Sequence, residues 1–133
     1  MQALILDDDP FVLSVLQRLL AHRGYNVVAY MDPVSCPVFL SDSCPCSAKP
    51  DCPDVIMVDF EMPTVNGVQF VKKLKQKGCR CRNVAIMSGS WTSETLKQAS
   101  RLGVSIIAKP FHFEKLESWL GAAESSSAGP SAL

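Results

Sequence analysis

"VIMVDFEMP", residues 55–63, runs through four apolar residues and closes on an acid, a second acid and Met-Pro. A strand with one face in water alternates apolar and polar side chains, whereas a strand covered on both faces is apolar throughout. Residues 55–58 are of the second kind. They read as an interior strand of a parallel sheet with helices on both sides, and Asp59 falls at its carboxyl end.

The same pattern repeats outward in both directions. "ALIL" (3–6) reads as a buried strand, followed by the helix "DPFVLSVLQRLLAHRG". In that helix Asp9 is the N-cap, Pro10 the first helical residue and Gly24 the stop. Val12, Leu13, Leu16, Leu19 and Leu20 supply the 3–4 spacing of a core-facing stripe. "NVVAY" (26–30) is a second strand, and a weak helix is expected over 33–41, limited by Pro37. Downstream, "NGVQFVKKLKQKG", "SETLKQASRLG" and "FEKLESWL" read as helices, separated by the strands "VAIM" (84–87) and "SIIA" (105–108). Strands alternating with helices predict an α/β fold with right-handed crossovers and about five helices. The domain is expected over 1–120. The small, polar stretch 121–133 is expected to be a disordered tail.

The totals exclude several functions. Thirteen basic and thirteen acidic residues cancel over 133 positions, so nothing draws the chain to nucleic acid or to anionic membrane. No apolar run approaches the length of a membrane span. "MQALILDDD" lacks the basic region and cleavage site of a secretory signal, so a cytoplasmic location is expected.

The chemistry-bearing residues cluster at the carboxyl ends of strands. Asp7 and Asp8 follow the first strand, Asp59 the third, Ser88 the fourth and Lys109 the fifth. In an open parallel sheet that edge forms the ligand crevice. Crowded carboxylates are relieved by a raised pKa or by a hard divalent cation such as Mg²⁺. A carboxylate can also attack phosphorus, with an ammonium stabilising the transferred group. Asp9 is assigned to its cap. Asp54, about 16 Å from Asp59 at the far end of the strand, lies outside the crevice.

"DD" after the first strand, "DFEMPTVNG" after the third, Ser88 after the fourth and "KPF" after the fifth resemble the receiver domain of two-component response regulators, of chemotaxis type. The resemblance covers about residues 2–120. It implies a flavodoxin-like, doubly wound sheet of five parallel strands in the order 2-1-3-4-5 and a cis peptide before Pro110. It implies that Asp59 accepts a phosphoryl group in a Mg²⁺-dependent phosphorelay. Asp7, Asp8 and Asp59 would bind the cation, Asp8 directly and Asp7 through water, with the backbone carbonyl of Glu61 as a further ligand. Ser88 and Lys109 would contact the phosphoryl group.

The implied partners are a sensor histidine kinase or phosphotransfer protein and a downstream protein target. A homodimer through the face of the fourth helix, fifth strand and fifth helix is the family's usual one. Catalysis would be limited to self-phosphorylation and self-dephosphorylation. Ile106 departs from the family, which carries Tyr or Phe there and swings that ring inward on phosphorylation. Gly67 is read as a turn residue that starts a helix.

The cysteines suggest an alternative. Cys44, Cys46 and Cys52 sit in an insertion of roughly seven or eight residues, tolerable in a surface loop. Cys79 and Cys81 precede the fourth strand. In the implied order these two groups are neighbours at the face opposite the crevice. Three states compete: reduced thiols, a disulfide from Cys46 or Cys52 to Cys79 or Cys81, and a four-thiolate Zn²⁺ site. The last two would suit an interaction module that senses redox state or metal and is not regulated by phosphate. Cys36 is read as a packed residue. A phosphohydrolase with an aspartyl nucleophile is disfavoured, since no substrate-covering cap domain is expected to fit in this length.

Overall fold

A computed structural model of the chain describes residues 1–36 and 52–132, the side chains of 126–132 excepted. Its elements in chain order are β1 (Gln2–Leu6), α1 (Pro10–His22), β2 (Asn26–Tyr30), a 3-10 turn (Pro33–Ser35), β3 (Val55–Asp59), α2 (Gly67–Gln76), β4 (Val84–Ser88), α3 (Ser93–Leu102), β5 (Ser105–Ala108) and α4 (Phe113–Ala132). The five strands form one sheet in the order β2-β1-β3-β4-β5. Every adjacent pair is parallel, as the apolar strands and crossover helices require.

Alternate residues along each strand serve two cores. Ala3, Ile5, Val55, Met57 and Met87 face Leu13, Leu16 and Leu20 of α1 and Leu116 and Leu120 of α4. Leu4, Leu6, Ile56, Val58 and Ile86 face Val68, Phe70, Val71 and Leu74 of α2, with Ala99 of α3. Each such aliphatic or aromatic side chain contributes about 1.5–3 kcal/mol on burial. Both cores therefore grip β1 and β3, and this fixes the strand ends from which the acids project.

Local chemistry starts the helices. The Asp9 carboxylate accepts from the Phe11 N–H, with Pro10 entering the first turn of α1. Asn66 and Gln69 cap α2 reciprocally, and Thr92 and Thr95 do the same for α3.

Two expectations are corrected. Over the described part of this stretch, 33–36, a 3-10 turn (Pro33–Ser35) forms before Cys36, which is extended (φ −78°, ψ 123°). Pro37 follows it, and a residue before proline is driven out of the helical region. The described residues thus contain four α-helices rather than five; positions 37–41 of the expected helix lie outside them. The final helix also continues past residue 120 instead of giving way to a disordered tail at 121. Ala123 is buried against the α1 core, and Glu124 accepts from Arg23 and from the Tyr25 hydroxyl.

That pairing carries a pH signature. The Arg23 guanidinium holds the Glu124 carboxyl below its ordinary value, and the Tyr25 hydroxyl adds to the effect against the opposing pull of burial. A depressed carboxyl contributes stability above the unfolded carboxylate pKa and loses it as pH falls through the folded value. Urea unfolding from pH 6 to pH 3 is expected to cost wild type about 1 kcal/mol more than Glu124→Gln. Equal losses would mean that the contact adds nothing.

Candidate functional site

Four strands deliver the site residues to one edge. Asp59 is the last residue of β3 and Ser88 the last of β4, while Asp7 follows β1 and Lys109 follows β5. The β3–β4 register pairs Asp59 with Met87, so Ser88 stands one position further along the neighbouring strand. Among the described residues, Asp7, Asp59 and Ser88 are the buried polar ones, with Asp59 only 2% exposed. The Lys109–Pro110 peptide is cis, as the resemblance implied.

The charges form a tight set. Lys109 Nζ donates to Asp7 Oδ2 at 2.6 Å and lies 3.2 Å from Asp59 Oδ1. The other Asp7 oxygen accepts from the Asp9 N–H at 2.9 Å. Asp59 Oδ1 is buried and accepts no aligned hydrogen bond, so the approach of Lys109 is a charge contact only. Burial, reinforced by the charge of Asp7, pushes the Asp59 carboxyl up to about 7 against the pull of Lys109. Burial acts to lower the Lys109 ammonium, but Asp7 and Asp59 outweigh it and hold it above the ordinary lysine value.

Asp7, Asp8 and Asp59 each place a carboxylate oxygen within 4.8 Å of the others, Asp8 being the exposed member. An exposed acid, two buried ones and an unpartnered buried oxygen suit a hard divalent cation taking oxygen ligands and water. The anionic excess at the edge, two buried acids against one lysine, asks for the same relief.

Ser88 has partners that sequence reading did not foresee. Its hydroxyl donates to Glu61 Oε1 at 2.6 Å, and Ser90 Oγ donates to the same oxygen at 2.8 Å. The signal was present: in the order 3-4 the loops after β3 and β4 are adjacent, which sets Glu61 opposite Ser88–Ser90. Trp91 was also overlooked. Its indole N–H donates to the Ile107 carbonyl at 3.1 Å, and its ring lies 6.1 Å from that of Phe60. Ile106, in the family's aromatic position, is 42% exposed.

Gly67 starts α2, as expected, and it is also needed for space. A Cβ there would stand 2.7 Å from the Asp59 carbonyl oxygen and 3.1 Å from Phe60 Cα. Both are backbone atoms and neither can swing aside. Gly67→Ala is expected to lower stability by about 1–3 kcal/mol through this overlap. Chemical denaturation checks it, and an unchanged midpoint would show that the loop gives way freely. Thr64, between the two, holds φ at 73°, a conformation that β-branched residues rarely adopt.

The cysteine groups are neighbours, as expected: the Arg80 N–H donates to Cys52 Sγ at 3.2 Å. The bridge from Cys52 to Cys79 or Cys81 is not formed. Cys52 is disulfide-bonded, whereas Cys36, Cys79 and Cys81 are in no disulfide. Cys44 and Cys46 lie outside the described residues. The Cys81 thiol turns to the Asn83 carbonyl, and burial pushes its pKa up to about 12. A thiol held protonated is a poor nucleophile and metal ligand. Cys36 is fully buried beside α2, a packed residue as read.

Comparison with known proteins agrees with the geometry. Residues 3–120 match the response regulator receiver domain family. The sensory/regulatory protein RpfC of Xanthomonas campestris is 30% identical over 120 residues, covering 87% of this chain and 15% of that protein. The response regulator MprA of Mycobacterium avium is 26% identical over 116 residues, covering 87% of this chain and 47% of that protein. The chain thus spans less than half the length of either relative. The receiver domain of the Francisella response regulator 1452 superposes with a TM-score of 0.76 at 20% identity, covering 95% of this chain and 98% of that one. At that identity the likeness concerns the fold.

Proposed function

The chain belongs to the response regulator receiver family, and from that premise we propose that Asp59 is the residue on which it accepts a phosphoryl group. The observation that carries this reading is the buried Oδ1 of Asp59, which accepts no hydrogen bond and is set between two further acids and the Lys109 ammonium. The donor is a phosphohistidine of a sensor kinase or phosphotransfer protein. The Asp59 oxygen forms a P–O bond as the P–N bond to the imidazole breaks, and the imidazole leaves with the bonding pair and takes up a proton.

Asp7, Asp8 and Asp59, with the Glu61 carbonyl, would hold Mg²⁺, which when bound neutralises charge on the phosphoryl oxygens. Lys109, poised between Asp7 and Asp59, offers its ammonium to the transferred group. Ser88 offers the hydroxyl of the neighbouring strand. The carboxyl ends of β1, β3, β4 and β5 bring Asp7, Asp59, Ser88 and Lys109 to one edge of the sheet before the transfer.

The product is a switch rather than a released metabolite, and catalysis is confined to the chain's own aspartyl phosphate. Phosphorylation would bias the face of α3, β5 and α4, where a downstream protein or a second copy would bind. A cytoplasmic exchange with such a donor goes with this reading. Among the described residues no helix is long and apolar enough to cross a membrane. The test is incubation with acetyl phosphate and Mg²⁺ followed by mass spectrometry. A phosphoryl adduct on Asp59 is expected, and a wild-type chain that forms none would end this reading.

A further inference from the structure

We propose that Glu61 is a positioning residue that holds the chain in its unphosphorylated state by taking the Ser88 hydroxyl proton. The inference rests on the reading of Asp59 as phosphoacceptor and adds a competitor to that site. A serine hydroxyl has one proton to give. Here it goes to Glu61 Oε1 at 2.6 Å, within the range of short, charge-assisted O–H···O⁻ bonds. Ser88 is 1% exposed, so water cannot easily take over its partners.

Two further contacts fix the arrangement. The Ser90 hydroxyl donates to the same carboxylate oxygen at 2.8 Å, and the Ser90 N–H donates to Ser88 Oγ at 3.0 Å. One oxygen of Glu61 thus gathers two hydroxyl protons, one from the last residue of β4 and one from the loop after it, while the Ser88 oxygen is tied from its acceptor side.

A phosphoryl group on Asp59 brings its own negative oxygens to the crevice and needs the Ser88 proton. It can obtain that proton only by displacing Glu61, whose carboxylate also repels it. The side chain of Glu61 therefore opposes the phosphorylated state by two routes. The competition runs through Ser88, while the repulsion does not.

The routes separate in a double-mutant cycle on the full chain, with beryllofluoride and Mg²⁺ as the phosphoryl mimic and Trp91 fluorescence or calorimetry as the readout. Glu61→Ala is expected to tighten adduct binding about tenfold in the wild-type background, the scale of one charged hydrogen bond. In a Ser88→Ala background the gain should fall to about threefold or less. Glu61→Gln, which keeps an acceptor oxygen without the charge, should lie between wild type and Glu61→Ala, and it guards against a folding defect in the alanine variant. An equal gain in both backgrounds would reduce Glu61 to a bystander charge and overturn the proposal, as would no gain in either. Wild type failing to form the adduct would instead remove the phosphoacceptor reading, a result seen before any Glu61 variant is made.

Discussion

Replacing Asp59 by Asn abolishes the Mg²⁺-dependent adduct with acetyl phosphate or beryllofluoride, an expected loss of at least a hundredfold in affinity. The amide cannot attack phosphorus and cannot supply the anionic oxygen that both mimic and cation require. Asp7 and Asp8 remain in the variant, so residual Mg²⁺ binding is expected to weaken rather than vanish. The same substitution should act oppositely on the metal-free fold. The Asp59 carboxyl is raised by burial and by Asp7 to about 7. A carboxyl with a raised folded pKa costs stability as pH climbs from the unfolded value through the folded one. At pH 8 without metal, Asp59→Asn should therefore melt higher than wild type, and Mg²⁺ should narrow the gap. Retention of the adduct in the variant would move the phosphoacceptor to another residue.

Lys109→Met is expected to be the most damaging single change to the fold itself. Lys109 is the cation between two buried carboxylates, 2.6 Å from Asp7 and 3.2 Å from Asp59. Removing one partner of a buried ion set leaves uncompensated charge, typically about 3–5 kcal/mol. The loss should be largest at pH 8 without metal and smaller at pH 5, where protonation relieves Asp59. Mg²⁺ at pH 8 should recover part of it, because a divalent cation replaces the missing positive charge. Combining Lys109→Met with Asp7→Asn should cost less than the sum of the two, since the second change removes the charge that the first exposed. Additive losses in denaturant unfolding would show that Lys109 acts through its packing alone.

Much of this was legible beforehand. The apolar runs at 3–6, 55–58 and 84–87 predicted covered parallel strands, and β1, β3 and β4 contain them. Asp7, Asp8, Asp59 and Lys109 could be placed together because a parallel sheet puts all its carboxyl ends on one edge. Asp9 and Pro10 marked the start of α1 by local chemistry alone.

What the local patterns left out shares a cause. Gly67 was assigned a turn because its contact with the Asp59 carbonyl is set by how α2 docks on β3, which no local pattern encodes. Glu61 was read through its backbone carbonyl, and the hydroxyls that its side chain meets belong to residues 27 and 29 positions later. A bridge from Cys46 or Cys52 to Cys79 or Cys81 was one of three states left open, on the strength of proximity. The proximity holds, but a disulfide also needs the sulfurs themselves to meet, and Cys81 turns away to Asn83. The last helix was ended at residue 120 because "GAAE" lacks an apolar stripe. It continues because Ala123 finds α1 and Glu124 finds Arg23 and Tyr25, about a hundred residues earlier.

The sequence by itself thus determined the strands, their direction and the acids at their ends, because apolar periodicity and capping act over a few residues. Tertiary structure alone decided which proton each oxygen receives, which backbone Gly67 must clear and which sulfur Cys52 can reach. Those outcomes depend on distances of about 3 Å between residues far apart in the chain, and hydrogen bonds and steric overlap fade within an ångström of that range.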